Sequence, residues 1–367
     1  MLAALREDFG NPSSIHHFGQ RAKSVVDQAR SAVAALIGAD PSEVVFTNGG
    51  TESDNLAIRG ATEALERTPR RHLVASAIEH EAVLNTLKAL AKRSWETTLL
   101  PVDDSGIVSL DDLSAALRDD TALVSIMHAN NEIGTIQPIA TLAQVARARG
   151  ALVHTDAVQS AGKIPVDVKA LGVDMLSVSA HKFYGPKGIG ALWIRRGLRL
   201  LPTMTGGKQE RGRRAGTENV AGIVGMGVAA EIAHAKLSEE GVRVSMLRDR
   251  LEEGILRAVT GTVVNGTRAL RVPNTTNISF DRVEAESLLI ALDLAGIAVS
   301  TGSACSSGTL EPSHVLKAMG FPAHRTQNSI RFSLGTSNTP EDVDRVVVAL
   351  PGLVEKLRHL TRTPARS

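Results

Sequence analysis

The stretch Met175-Leu176-Ser177-Val178-Ser179-Ala180-His181-Lys182 decides the fold, because it joins a short apolar run to polar residues. Its first four residues predict a buried β-strand. In open α/β sheets, ligands bind beyond the carboxyl ends of the strands, so Lys182 stands where a site residue is expected. A lysine there cannot extend freely into water, and desolvation would lower its pKa, which a Schiff-base lysine requires.

Predicted strands and helices alternate on both sides of this stretch. Helices are predicted after Thr51, over 82–91 and over 142–148, and further strands at 44–46, 72–75, 123–127, 151–154 and 191–194. Strands that alternate with helices are typical of an α/β protein whose mostly parallel sheet is covered on both faces.

The pattern changes after residue 220. One helical pattern runs over 220–259 with a break near Gly241, and it is followed by strands at 262–264, 276–280, 297–299 and 329–332, with helices over 285–294 and from Pro340. This texture predicts a smaller α+β unit. We therefore expect a large domain over 1–240 and a small C-terminal domain over 241–367, with residues 1–10 alternatively assigned to the small domain.

Composition excludes several classes of protein. The 367 residues carry 41 basic and 39 acidic side chains, a net charge of +2, which is too small to steer nucleic acid. The chain shows no run of 18 apolar residues and no signal-peptide core, so we expect no membrane segment and a cytoplasmic location. In that location the glycosylation sequons at Asn265, Asn274 and Asn277 have no role.

Polar residues also follow other predicted strands. Asp156 ends a buried strand, where a carboxylate can pair with the protonated pyridine nitrogen of pyridoxal phosphate (PLP). Gly49-Gly50-Thr51 closes a strand and opens a helix, which supplies backbone N–H groups for a phosphate, and Ser179 and His181 would add two donors. Each residue alone is equally well explained as a helix cap or loop hydrogen bonder. Together they predict one site.

Two other kinds of site are excluded by spacing. The glycine-rich segment 185–190 precedes a strand rather than a helix, and no Gly-Lys-Ser/Thr occurs, so a nucleoside-triphosphate loop is absent from the sequence. His80-Glu81 lacks a second histidine at helical spacing, so a zinc-protease helix is absent as well.

The chain has a single cysteine, Cys305, within Ser300-Thr301-Gly302-Ser303-Ala304-Cys305-Ser306-Ser307-Gly308. One thiol cannot form an internal disulfide or an all-cysteine metal site. A lone cysteine is often a small buried hydrophobe. The small, polar neighbours of Cys305 instead favour a partly exposed loop and a reactive thiol.

These residues identify a family. The chain resembles the cysteine desulfurases of the NifS/IscS type, which are PLP enzymes of the class V aminotransferase family. The resemblance runs nearly from end to end, through the motifs at 10–14, 51–55, 79–80, 130–134, 156–160, 181–188, 211–219, 302–305 and 329–335.

The resemblance implies a PLP-dependent transferase of fold type I, with a seven-stranded, mostly parallel sheet and a smaller α+β domain. It implies that Lys182 carries the cofactor as a Schiff base and moves protons at the substrate Cα. The other implied roles are pairing with the pyridinium for Asp156, a bond to the ring hydroxyl for Gln159, and ring stacking with acid–base chemistry for His80. Phosphate contacts are implied for Gly50, Thr51, Ser179 and His181, with Thr217 from a second subunit.

The resemblance also implies a route for sulfur. Asn131 and Arg331 would bind the carboxylate of L-cysteine, which the guanidinium fork of arginine matches. The Cys305 thiolate would take the sulfur as a persulfide, release L-alanine and pass the sulfur to an iron–sulfur scaffold or another acceptor. Cys305 could also ligate an iron–sulfur cluster on that partner transiently. A homodimer is expected.

Two alternatives stay open. The first is a selenocysteine lyase or a desulfurase of the other group, although the motif Gly302-Ser303-Ala304-Cys305 argues against it. The second is an inactive sulfur-relay or scaffold-binding homologue. It is kept because the family's upstream Asp-Asn-Asn/Ser-Ala-Thr-Thr-like segment does not precede Gly10.

Overall fold

A seven-stranded sheet forms the centre of the first part of the chain in the computed structural model, which describes residues 1–301 and 312–362. Its strands are β1 (Val44–Thr47), β2 (His72–Ser76), β3 (Glu96–Leu100), β4 (Thr121–Ser125), β5 (Leu152–Asp156), β6 (Met175–Ser179) and β7 (Gly190–Ile194). They are ordered β1-β7-β6-β5-β4-β2-β3. The pairs from β3 to β6 are parallel, and β7 runs antiparallel to both β6 and β1. The predicted α/β class with a mostly parallel sheet is confirmed.

Helices precede and connect these strands. They are α1 (Leu2–Glu7), α2 (His17–Leu36), α3 (Gly50–Ala64), α4 (Glu81–Ala91), α5 (Leu110–Ala116), α6 (Ile139–Ala148) and α7 (Val168–Leu171). The central strands β4 and β6 are buried along their whole length, as expected for strands of a parallel sheet that is covered on both faces. Leu56 and Ile58 of α3 pack in one core with Leu73, Leu123 and Leu192 of the sheet.

A second, three-stranded antiparallel sheet lies in the later part of the chain. It consists of β8 (Thr262–Asn265), β9 (Thr275–Phe280) and β10 (Ser329–Ser333), in the order β10-β9-β8. The accompanying helices are α8 (Val220–Ala258), α9 (Ala285–Leu294), α10 (His314–Ala318), α11 (Ala323–Gln327) and α12 (Pro340–Arg362). Phe280 and Ile330 of the sheet form a core with Ile255, Leu288 and Leu350 of the helices.

Contacts divide the chain into two compact units. The first consists of Met1–Leu100, Val108–Ala129 and Gln137–Leu237, and the second of Pro101–Ile107, Asn130–Ile136 and the chain from Ser238 onward. Asn131 therefore belongs to the second unit, although it follows a strand of the first. The hydrophobic pattern of the sequence carries no signal for that assignment.

Three local predictions differ from the structure. Helix α8 continues through Gly241 without the predicted break. The strand predicted at 297–299 is wrong, because pairing there is limited to one bridge between Ser300 and Arg331. Strand β3 was not predicted, since it lies at the sheet edge and its Glu96-Thr97-Thr98 is polar and at least partly exposed.

Among the described residues, one helix meets the length and composition criteria for a membrane span. It is α8, with 39 residues. Core helices of globular proteins meet the same criteria, so this is weak evidence for a membrane segment.

Candidate functional site

Asp156 and Lys182 lie at the carboxyl ends of neighbouring parallel strands of the first unit. Asp156 is the last residue of β5, and Lys182 lies in a 3-10 helix, Ala180–Phe183, that follows β6. Asp156 is buried, and its Oδ1 accepts a hydrogen bond from the backbone N–H of Val158 at 2.8 Å. Burial raises the pKa of Asp156, while the Val158 N–H and the basic neighbours His80 and Lys182 oppose that rise. The three predicted residues are therefore electrostatic neighbours.

His80 caps the start of α4. Its Nδ1 accepts from the backbone N–H of Ala82 at 3.1 Å, which fixes the ring at the helix terminus. Since Nδ1 is the acceptor there, the proton of a neutral ring resides on Nε2. Nε2 is therefore the atom with which His80 can exchange a proton with a ligand.

A cavity of about 640 Å³ lies at the N-terminus of α3. It is lined by Asn48, Gly49, Gly50, Thr51, Glu52, Asn55, Ser179, His181, Lys187 and Gly188. Gly49, the cap residue, has φ +144°, a conformation that L side chains rarely adopt. A Cβ on Gly50 would lie 2.8 Å from Cγ2 of Val158, so a larger residue at either glycine would strain this turn. The 15-residue helix α3 presents its positive end here, which suits an anion.

Ser179 and His181 stand beside that cavity. Ser179 Oγ and His181 Nδ1 are hydrogen bonded at 3.0 Å. Partial burial, followed by the charges of Lys182, Lys187 and Lys163, lowers the pKa of His181. Of these lysines, Lys187 lines the cavity, and its positive charge favours a phosphate.

Gln159 is hydrogen bonded to a nearby lysine, whereas Thr217 lies on an exposed loop. Gln159 Oε1 accepts from Nζ of Lys163 at 2.9 Å, so the amide nitrogen is the atom that can donate to a ligand. Thr217 is exposed, in a loop whose Arg214 pairs with Glu52 at 2.9 Å. Because Glu52 lies in the first turn of α3, that ion pair anchors the loop to the helix. Glu52 also accepts a hydrogen bond from the N–H of Asn48.

A buried polar layer that the sequence did not predict lies next to Asp156. Glu79 Oε1 accepts from Ser76 Oγ at 2.5 Å and from the N–H of Met127 at 2.9 Å. Burial raises the pKa of Glu79 to about 8, so its carboxyl is protonated at neutral pH. Burial and the charge of Asp156 raise the pKa of Asp54 as well. Asp156 is thus the carboxyl of this group whose ionised form is supported by basic neighbours.

His154 completes that layer. Its ring nitrogens are hydrogen bonded to Ser125 at 2.8 Å and Ser177 at 2.9 Å, and its Nε2 lies 3.6 Å from Oδ1 of Asp54. Burial lowers the pKa of His154 to about 3, so the ring is neutral. The sequence signal was present, since Asp54 and Glu79 belong to the motifs at 51–55 and 79–80, but nothing in the motifs indicates that these acids are buried together.

Arg331 and Asn131 meet in the second unit. Arg331, on β10, donates from Nη1 to the carbonyl of Asn131 at 2.9 Å. Among the described residues, the buried Nε of Arg331 has no hydrogen-bond partner. Burial lowers the pKa of Arg331, and Glu132 opposes that shift. A partly buried guanidinium of this kind, with Nη1 bonded to a carbonyl and Nε without a partner among the described residues, can bind a carboxylate.

Cys305 lies outside the described residues, which end at Thr301 and resume at 312. Its role therefore stays a prediction. Within residues 1–301 and 312–362, no group of three or more His, Cys, Asp or Glu side chains is placed to hold a metal ion.

Known proteins and one family model resemble this chain over most of its length. The aminotransferase class-V family model matches residues 1–346. A cysteine desulfurase IscS of Dictyoglomus turgidum (strain DSM 6724 / Z-1310) is 52% identical over 361 residues, which cover 98% of this chain and 91% of that protein. A solved NifS-like protein superposes with a TM-score of 0.88 at 39% identity, over 98% of this chain and 93% of that one. A structure of SspA in complex with cysteine gives a TM-score of 0.80 at 37% identity, over 90% of this chain and 92% of that one.

The chain belongs to the class V aminotransferase family, and within it the similarity is to cysteine desulfurases of the NifS/IscS type. The family is PLP-dependent, and the site of this chain fits that cofactor. The glycine-lined cavity at α3 suits the phosphate, and the buried Asp156, with basic neighbours, suits the pyridinium. The resemblance, the fold and the cofactor predicted from the motifs are confirmed.

Proposed function

We propose that the chain converts L-cysteine and the Cys305 thiol into L-alanine and a Cys305 persulfide. One C–S bond of the substrate breaks and one S–S bond forms, and the thiol proton of the enzyme balances the hydrogen gained by alanine. The observation that carries this proposal is the grouping of Asp156, Lys182 and His80 beside a phosphate cavity, in a chain similar to cysteine desulfurases.

The first unit would hold the cofactor. The N-terminus of α3, Ser179 and His181 bind the phosphate, Asp156 pairs with the ring nitrogen, and the amide nitrogen of Gln159 donates to the ring hydroxyl. When bound, PLP withdraws electrons from the substrate Cα. Lys182 accepts and returns the proton at that carbon, and His80 exchanges protons through Nε2. Glu79 and His154, both neutral at pH 7, add no charge beside Asp156.

The second unit would recognise the substrate carboxylate. Arg331 donates to it while Nη1 stays on the carbonyl of Asn131, and the amide of Asn131 adds a further donor. Because the carboxylate is common to substrate and product, this contact selects amino acids but does not by itself break the C–S bond.

Cys305 would act as the nucleophile. Its thiolate attacks the sulfur of the bound cysteine, as thiolates attack sulfur in exchange reactions. The persulfide then passes to an iron–sulfur scaffold or another acceptor, and Cys305 could ligate a cluster on that partner transiently. We further propose a homodimer in which Thr217 contacts the phosphate of the partner subunit, and a cytoplasmic location.

The test is visible absorbance of the purified protein with PLP. The parent should show the band of lysine-bound PLP and should respond to L-cysteine. Lys182→Ala should lose that band and all sulfide release, whereas Lys169→Ala, which removes an exposed lysine of α7 away from the cavity, should keep the band. A Lys182→Ala spectrum unchanged from the parent, or a parent that binds no PLP, would contradict the proposal.

A further inference from the structure

Three polar side chains stand side by side across the three-stranded sheet of the second unit. Asn265 on β8 pairs with Asn277 on β9, and Asn277 pairs with Arg331 on β10. Directly paired residues of antiparallel strands point to the same face, so the three side chains form one row. Asn265 is 1% exposed and Asn277 is 0% exposed, which is unusual for asparagine and requires hydrogen-bond partners.

The row holds a short segment, 130–136, through its backbone. Asn277 Nδ2 donates to the carbonyl of Glu132 at 3.2 Å, and Arg331 Nη1 donates to the carbonyl of Asn131 at 2.9 Å. Asn265 Nδ2 donates to Asn277 Oδ1 at 2.7 Å, which orients the amide of Asn277. Two neighbours in the row thus bind the carbonyls of two consecutive residues.

The segment itself is folded so that this attachment decides where Asn131 lies. Asn130 Oδ1 accepts from the N–H groups of Glu132 and Ile133, at 2.8 and 3.1 Å. The carboxylate of Glu132 accepts from Ser313 Oγ at 2.5 Å. These bonds make the turn rigid, so a displaced Glu132 carbonyl would carry Asn131 with it.

The same attachment also orients the side chain of Arg331. Its guanidinium has one nitrogen on the Asn131 carbonyl, and this bond fixes the direction in which Nε points. If the Asn131–Glu132 peptide shifts, the arginine and the asparagine that are proposed to bind the substrate carboxylate both lose their alignment.

We infer that Asn277 is a positioning residue for the substrate carboxylate, because it holds the Asn131–Glu132 backbone in register with Arg331. This inference rests on the proposed function, in which Asn131 and Arg331 bind that carboxylate. Asn277 itself is buried under the segment and acts through it.

The test uses the PLP-loaded protein with Cys305→Ala, so that L-cysteine binds without turnover, and follows the change in absorbance. Asn277→Leu is close in size but cannot donate to the Glu132 carbonyl. We expect the half-saturating L-cysteine concentration to rise about tenfold, as expected for the loss of one buried hydrogen bond. PLP affinity should stay unchanged. Asn277→Ser should also raise the half-saturating L-cysteine concentration. This variant replaces Asn277→Leu in the test if Asn277→Leu fails to fold.

Thr276→Val is the matched control. Thr276 is the preceding residue of β9, on the opposite face, and its Oγ1 donates to the buried Glu252 at 2.6 Å. Thr276→Val removes a comparable buried hydrogen bond, so the thermal midpoint of this variant should fall. Its half-saturating L-cysteine concentration should nevertheless equal the parent's.

The inference is overturned if the Asn277 variants bind L-cysteine as the parent does, or if Thr276→Val weakens binding equally. A parent spectrum that does not respond to L-cysteine would instead contradict the proposed function. The two failures are therefore distinguishable.

Discussion

At the residue scale, the sequence pattern indicates candidate site residues but not their charge states. Asp156, Lys182 and His80 were recognised because each stands at the end of a strand or the start of a helix, which is a property of the sequence pattern. The neighbours that set the charge of Asp156 come from other strands and from α3. Periodicity cannot reveal that Asp54, Glu79 and His154 share one buried layer.

The asparagines of the second unit show the same limit. Asn265 and Asn277 appear in the sequence only as sequons. In the structure they are cross-strand neighbours whose amides bond to each other. Their buried location depends on the pairing of β8 with β9, which the sequence alone does not define.

A prediction at this scale concerns Glu79. Its pKa in the folded protein is about 8, above the ordinary value of 4.5. Below pH 4.5 both the folded and the unfolded chain keep the proton. As the pH rises from 4.5 to 8, the unfolded chain releases the proton while the folded chain retains it, so the free energy of unfolding falls, by at most about 5 kcal/mol at pH 8.

Glu79→Gln removes this ionisation while keeping an oxygen that accepts from Ser76 and Met127. We expect the thermal midpoint of the variant to gain several degrees relative to the parent between pH 5 and pH 8. Glu81→Gln, an exposed change in the first turn of α4, is the control and should show no such trend. Parallel midpoints for Glu79→Gln and the parent at both pH values would disprove a neutral, buried Glu79.

At the element scale, the strand-to-helix turn between β1 and α3 determines the phosphate cavity, and β7 restricts that turn. Gly190 on β7 pairs with Thr47 of β1 and Ser179 of β6. A Cβ at Gly190 would lie 2.6 Å from the carbonyl oxygen of Val178 and 2.7 Å from Cα of Gly49. Because both contacts are with backbone, they cannot be relieved by a side-chain rotation.

Gly190→Ala should therefore displace the turn and raise the PLP dissociation constant about tenfold or more, with a lower thermal midpoint. Equilibrium dialysis against PLP measures the first effect. Gly352→Ala is the matched control, since a Cβ there meets nothing within 4 Å and alanine favours helix α12. Unchanged PLP affinity in Gly190→Ala would show that the turn tolerates the added methyl group.

Sequence patterns at this scale predicted buried elements well and marginal ones badly. The apolar strands β4 to β7 and helix α9 were predicted within two residues. Strand β3 was missed because it is polar, and the strand expected at 297–299 reduces to a bridge at Ser300. Gly241 does not break α8, since a glycine inside a long helix costs only about 1 kcal/mol.

At the scale of the whole molecule, the order of the motifs carried more information than any one of them. The chain contains two compact units, and each holds some of the predicted site residues. Lys182, Asp156 and His80 belong to the first, and Asn131 and Arg331 to the second. Motif order predicted this membership of one family. It did not predict that segment 130–136 joins the second unit, because that depends on hydrogen bonds from the Asn277 and Arg331 side chains and on backbone bonds to Leu270 and Val272.

The central claim is that Cys305 receives sulfur from L-cysteine in a PLP-dependent reaction. The most direct measurement is to incubate the PLP-loaded chain with one equivalent of L-cysteine, to quantify alanine, and to determine the mass of the peptide that contains Cys305. The account predicts one alanine for each sulfur gained by Cys305, seen as about 32 Da, and neither product with Cys305→Ser. Alanine and sulfide formed by Cys305→Ser at the parent rate would contradict it.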